Sequence, residues 1–295
     1  MEVLRKRGDC PALRWFLGCA VFLTATFFSL PATAGPYPPA AGESGSTAIH
    51  KDDSAFVAWA VGWEDYIPGE EVDATFQAPE KAVGKAEGAS FDIVSLGRGG
   101  QITMTFDPPI DNGEGWDFAV FENSFSDTFL ELAYAEVSSD GEHFVRFDND
   151  SLTQEPVSAY GAVDPTNIDG LAGKYKQAYG TPFDLEDVGL DYATHVRLID
   201  IVGDRTSLDT SGDAIYDPYP TVGSAGFDLD AIGVSNGAAY PAGEYTPPSV
   251  PSSDGDAGFG GGGCFISTAC QGFWREVGHD CRCDPYSHHQ RAGEP

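Results

Sequence analysis

Between Cys19 and Cys264 the chain has no cysteine. That excludes a disulfide-stapled scaffold for its central part, which has to fold by burying apolar surface, with or without bound ions. Basic residues are scarce as well: 16 Lys and Arg face 46 Asp and Glu, a formal net charge of −30. Such a chain repels nucleic-acid phosphates and bare anionic membrane surfaces, and it attracts divalent cations. Beyond Leu30 no apolar run is long enough to cross a bilayer. No long stretch carries the 3.6-residue repeat of an amphipathic helix. Common catalytic signatures are missing too: there is no G-x-S-x-G elbow, no H-E-x-x-H and no phosphate-cradling glycine loop. The central histidines, His50, His143 and His195, are scattered. The expectation is a protein that is not an enzyme, with a polysaccharide hydrolase or lyase using two close carboxylates as the catalytic alternative.

What is present begins with Arg5, Lys6, Arg7 and Arg14, an apolar run from Trp15 to Leu30, and the small-residue sequence Pro31-Ala32-Thr33-Ala34-Gly35. This is the pattern of an export signal cleaved between Ala34 and Gly35, so residues 1–34 are expected to be removed and the product to sit at the cell surface or outside the cell. Taking the signal's four basic and two acidic residues from the 16 and 46 leaves 12 against 44, a net of −32. Residues 35–47 read as a flexible leader and 237–263, ending in Gly260-Gly261-Gly262-Gly263, as a Pro/Ser/Gly-rich linker. Residues 264–295 form a tail.

The segment between leader and linker, 48–236, shows short apolar or alternating runs bounded by Gly, Asp, Asn and Pro. Strands are predicted at Phe91 to Ser95, Gln101 to Phe106, Asp117 to Glu122, Ala133 to Ser138, Phe144 to Phe147, His195 to Ile201 and Asp228 to Ser235, with turns at Arg98-Gly99-Gly100, Asp111-Asn112-Gly113 and Ser139-Asp140-Gly141. The fold class expected is all-β, an antiparallel β-sandwich. The stretch from Ser151 to Asp191 lacks strand alternation and is long enough to suggest a functional loop.

Two sets of residues could bind something. In Asp209-Thr210-Ser211-Gly212-Asp213-Ala214-Ile215-Tyr216-Asp217 oxygen side chains recur at Asp209, Ser211, Asp213 and Asp217, and Ile215 offers a backbone carbonyl. Calcium takes six to eight oxygens on a tightly curved loop, and this spacing supplies several, although the pattern is not an EF-hand; an acidic turn closed by Asx hydrogen bonds is the alternative. Asp228 and Asp230, on one face of a strand by the period of two, could join that loop, and Asp111 and Glu122 bracket a second acidic cluster. For a surface glycan, Tyr160, Tyr175 and Tyr179 offer stacking faces beside Asn167 and Lys174. Aromatics that merely pin the loop are the alternative. Trp59, Trp63 and Trp116 read as core or edge packing.

The blocks "GWEDYIPG", "VSLGRGGQITMTFDPPI", "GEGWDFAVFEN", "ELAYAEVSSDGEHF", "DPTNIDGLAGKYKQAYGTPFDL" and "GFDLDAIGV" resemble a family of bacterial exported cell-surface proteins. The strand-turn-strand "AYAEVSSDGEHFVRF", with "THVRLIDI" and "DLDAIGV", is similar to the jelly-roll of galactose-binding-like and carbohydrate-binding modules. The tail segment "GGGGCFISTA" resembles a C-terminal sorting element with a Cys-Phe-Ile box, here Cys264, Phe265 and Ile266, and departs from that pattern after Ala269. The acidity, the export signal and the acidic loop, taken with these resemblances, lead to the expectation of a non-catalytic, calcium-stabilised surface module with an adhesive or envelope-structural role and a glycan or extracellular-matrix partner, or else a carbohydrate-binding module.

Overall fold

The computed structural model describes residues 34–89 and 91–237; the predicted signal core, linker and sorting tail lie outside them. Thirteen strands run in the order β1 Ile49–His50, β2 Ala58–Trp59, β3 Gly62–Ile67, β4 Val94–Ser95, β5 Gln101–Asp111, β6 Phe118–Glu122, β7 Ala133–Ser138, β8 Val145–Arg146, β9 Asp150–Ser151, β10 Ile168–Asp169, β11 Tyr179–Phe183, β12 Tyr192–Asp200 and β13 Asp228–Val234. All strand pairs are antiparallel. One large sheet has the order β1-β11-β6-β13-β2, with β4 also on β13, the other large sheet the order β3-β5-β12-β7-β8, and β9 and β10 form a small two-stranded sheet of their own. The long strands change sheet at nearly every step: β5 to β6, β6 to β7, β11 to β12 and β12 to β13. A hairpin rolled up so that β5 pairs with β12 in one sheet while β6 pairs with β11 and β13 in the other is a jelly-roll sandwich.

The packing explains why several strands lack polar alternation. Along β6, Phe118 and Val120 enter the main core between the sheets, while Ala119 and Phe121 join a second apolar cluster with Phe56, Trp59 and Trp116 on the outer side. Both faces of this strand are thus covered, and all its residues are buried. A third cluster, including Leu132, Tyr134, Val157, Val163, Ile168 and Ile215, buries the start of β7 under the two long connections that follow β8 and β12. The Ser151 to Asp191 stretch is therefore not one loop. It contains β10 and β11, and β11 is a full member of the first sheet, its Gly180 to Phe183 facing Phe121 to Phe118 of β6. Its Gly180 and Pro182 hide the expected alternation.

Glu136 on β7 is the main ion-pair centre of the second sheet: Arg146 approaches at 2.7 Å and Arg197 at Nε with 2.7 Å, in a fork-like geometry. Both guanidinium groups also lie over rings, Arg146 over Tyr134 and Arg197 over Phe144, each at 3.9 Å. Glu136→Ala leaves the partly buried Arg197 and the exposed Arg146 without a carboxylate, and it is expected to cost about 1–2 kcal/mol in chemical denaturation.

Candidate cation site at one end of the sandwich

β6 and β12 end, and β5, β7 and β13 begin, at one rim of the sandwich, and antiparallel pairing brings the carboxylates at those termini together. Glu122 closes β6, Asp200 closes β12 and Asp228 opens β13. Glu131 stands just before β7, and Asp217 lies in the long connection between β12 and β13. All are buried, Glu131 with 4 % and Asp217 with 2 % of its surface exposed.

Each carboxyl group is positioned by local donors. The Ser124 N–H donates to Glu122 at 2.6 Å, Leu132 N–H to Asp217 at 3.0 Å, and Gly99 and Phe227 N–H to the two oxygens of Asp200 at 2.8 Å each. The Ser95 hydroxyl, opposite in register, donates to Asp228. A Cβ at Gly226 would stand 2.4 Å from Asp200 Oδ1, so only glycine lets that backbone close on the carboxylate. Glu131 Oε1 and Asp217 Oδ1 are buried and have no hydrogen-bond partner.

The electrostatics are unfavourable for so many anions. Burial, then the charge of Asp228, pushes Glu122 well above the usual carboxylate range. Burial, then Asp228 and Glu122, does the same to Glu131. Asp217 rises through burial and then Asp200. Burial raises Asp200 and Asp228 to about 7 each, although Asp200 is partly relieved by its two N–H donors and by Arg98. Arg98 is itself shared with Glu71 at 3.3 Å and Glu70 at 3.8 Å. A hard divalent cation, or shared protons, would remove this repulsion. Among the described residues no three His, Cys, Asp or Glu side chains stand in a ready-made metal-ligand arrangement. The carboxyl groups surround the rim, each held by its own donor, and an ion would draw the free oxygens of Glu131 and Asp217 inward.

The structure distributes the sequence-predicted residues over several places. Glu122, Asp217 and Asp228 meet at the rim. Asp230 lies close by on the same strand, where the pairing with β6 shifts register between Leu229 and Ala231; it accepts from Glu87 N–H at 3.1 Å and Gly88 N–H at 2.8 Å, and burial raises it to about 6. The 209–217 segment does not curl around a point. Asp209 Oδ1 accepts from the N–H groups of Ser211 at 3.0 Å and Asp213 at 2.9 Å, Oδ2 accepts from Ser151 N–H at 3.1 Å, and the turn is closed as an Asx turn. Ser211 and Asp213 are exposed, Ile215 is in the apolar cluster with its N–H on the Ser207 carbonyl, and Asp217 faces the other way, toward Leu132. Asp111 is at the far end of β5, paired with Tyr192, so it and Glu122 do not share a site.

The aromatic set also separates. Tyr175 is 1 % exposed, with its hydroxyl 2.8 Å from that of Thr47, so it packs and cannot offer a stacking face. Lys174 is buried near the Tyr37 and Tyr175 rings, and burial lowers it to about 8. Tyr179 is on β11, edge-on to His50 at 5.1 Å. Asn167 ends a short 3-10 turn, and Tyr160 is 82 % exposed. Sequence reasoning missed Glu131 and Asp200. Their signal was a single acid inside an apolar context, "FLELAY" and "RLIDIV".

No protein-family model matches the chain, and no curated protein matches it.

Proposed function

We propose that this protein is a non-catalytic, exported surface module whose rim of buried carboxylates binds a divalent cation, calcium by preference, with an adhesive or envelope-structural role outside the cytoplasm. The observation that carries the reading is the convergence of Glu122, Glu131, Asp200, Asp217 and Asp228 at one set of strand ends, with Glu131 Oε1 and Asp217 Oδ1 buried and unpartnered. Carboxylate-rich oxygen sets suit calcium, which accepts irregular geometry and high coordination better than magnesium does. The export reading is supported by the N-terminal charge and small-residue pattern.

Thermal unfolding of the purified protein in EDTA and then in excess calcium tests this. An ion bound only by the native state at a hundred times its dissociation constant adds about 2.7 kcal/mol, which for a domain of this size is a rise of roughly 5–10 °C. Glu131→Gln, nearly isosteric, is expected to remove most of that rise, while Asp213→Ala in the exposed turn leaves it intact. An unchanged midpoint in calcium would sink the cation site, and loss of the rise in Asp213→Ala would move it to the 209–217 turn.

A further inference from the structure

Past the predicted cleavage point the chain starts Gly35-Pro36-Tyr37-Pro38-Pro39. Three prolines in five residues restrict this arm even when it is unfolded, so holding it in one place costs less conformational entropy. Three contacts hold it. Gly35 N–H donates to Thr166 Oγ1 at 2.6 Å, Tyr37 N–H donates to the Thr166 carbonyl at 3.1 Å, and the Tyr37 hydroxyl donates to Asp150.

The turn that receives the arm presents acceptors to it. Asp164 caps the short 3-10 turn Pro165–Asn167, its Oδ1 accepting from Thr166 N–H at 2.9 Å and from the Thr166 hydroxyl at 2.7 Å. With its proton directed at Asp164, that hydroxyl offers a lone pair to Gly35, and the carboxylate polarises it. The fit is close: a Cβ at Gly35 would stand 2.0 Å from the Thr166 carbonyl oxygen and 2.4 Å from Asn167 Oδ1, so only glycine can lie there. Gly35 is half-buried and Ala34 is exposed. The step from solvent into the body of the fold thus falls on the same peptide bond as the predicted cleavage.

We propose that the 164–167 turn is a binding site for the chain's own processed N-terminus, holding the α-ammonium group of Gly35 through Thr166 Oγ1, Asn167 Oδ1 and the Asp164 carboxylate. Hydrolysis of the Ala34–Gly35 bond consumes one water, leaves a carboxylate on Ala34, and turns the single N–H of Gly35 into a protonated amine with three donors. One donor keeps the bond to Thr166, and the Asn167 and Asp164 oxygens of the same turn are there for the others. Hydrogen bonds from a charged donor are roughly twice as strong as neutral ones. The surroundings favour a cation: Asp150, Asp169 and Asp209 all act on the Tyr37 phenol two residues along, and Lys174, its Nζ 5.9 Å from the Tyr37 ring, has its own charge weakened by burial, which lowers it to about 8. This rests on the export reading above and extends it, because removal of the signal then gives the folded module a contact that its precursor lacks.

The test compares three forms of the protein, all running to Pro295: one beginning at Gly35, one beginning at Ala34, and one beginning at Gly35 with its α-amino group acetylated. The last two keep the Gly35 amide N–H and only displace or remove the charge. At pH 7 the Gly35 form is expected to melt roughly 3–6 °C above both. Since the site favours the charged amine, this gap is full below the unfolded value of about 8 and is lost as pH rises through the raised folded value. Asp164→Asn and Thr166→Val should each at least halve the gap, whatever they do to the midpoints themselves. Gly35→Ala, which still presents an ammonium group, should lose it because its Cβ has no room. Equal midpoints for the three forms overturn the site, and so does a gap that survives undiminished in Asp164→Asn and Thr166→Val. Export is read separately, by expressing the full chain in a bacterium and determining its first residue by mass spectrometry. Gly35 is expected. Another first residue on exported protein overturns the site and leaves export standing, whereas retention of residues 1–34 inside the cell overturns the export reading and the role of the site with it.

Discussion

In EDTA the protein is expected to be most stable in mild acid and to lose stability as the pH rises from about 4.5 to 8, the opposite of the usual behaviour of acidic proteins, whose paired carboxylates make them weaken in acid. The sign follows from proton linkage. Asp200 and Asp228 sit at about 7 and Asp230 at about 6 in the folded state, while Glu122, Glu131 and Asp217 lie well above the ordinary carboxylate range, in each case with burial as the largest cause. The unfolded chain releases these protons near pH 4, so between there and the folded values the native state binds more protons. Its stability is fully present below the unfolded value and is lost as pH climbs through the folded ones.

The groups that face the cluster set the size of the effect. Arg98 assists Asp200, Ser95 and Ser224 donate to Asp228, and Thr221 donates to Glu131. Tyr66, driven to about 12 by burial and then by Asp228, remains a neutral phenol throughout this range. Shifts of this kind, shared among coupled groups, are worth about 3 kcal/mol or more, a fall in Tm of roughly 6–12 °C. Calcium competes with the same protons, so it should restore little at pH 5 and most at pH 8. Glu131→Gln and Asp217→Asn, each removing one buried charge, should flatten the profile measured by differential scanning calorimetry. A stability that instead climbs steadily to pH 8 in EDTA would show that these carboxylates ionise freely in the fold.

The second large effect is expected in the core. Phe118 is fully buried between the sheets, stacked on Phe183 at 5.3 Å and edge-on to Phe147 at 5.9 Å. Those three rings join β6, β11 and the segment after β8, so Phe118→Ala opens a cavity where both sheets meet. About 3–5 kcal/mol should be lost, or roughly 6–20 °C in Tm, with no change in the calcium increment because the site is at the strand ends. Phe118→Leu refills part of the space and should recover about half. A cost below about 1 kcal/mol in urea denaturation would mean that the two sheets close without this ring.

Much of the sandwich was legible locally. Strands β5, β7, β12 and β13 sit where apolar runs meet Gly, Asn and Asp turns, because sheet burial and turn chemistry both act within a few residues. β11 was hidden by Gly180 and Pro182, which β6 accommodates from across the sheet: a Cβ at Gly180 would be 2.9 Å from the Phe121 ring. β3 was hidden by exposed polar residues, as an edge strand needs few apolar ones.

The carboxylates show where local reading stops. The sequence alone determined that the chain is strongly acidic, all-β, and rich in oxygen ligands around Asp209 to Asp217 and Asp228 to Asp230. Spacing, however, records only neighbours along one strand, and the Asp209 turn that looked like a ligand arc spends its oxygens on its own N–H groups and on Ser151. Glu122, Glu131, Asp200, Asp217 and Asp228 spread over more than a hundred residues, and they come together because the rolled hairpin puts alternate strand ends at one rim. Their burial, and with it the repulsion that a cation or protons must relieve, comes from two sheets closing over them, which no stretch of sequence contains.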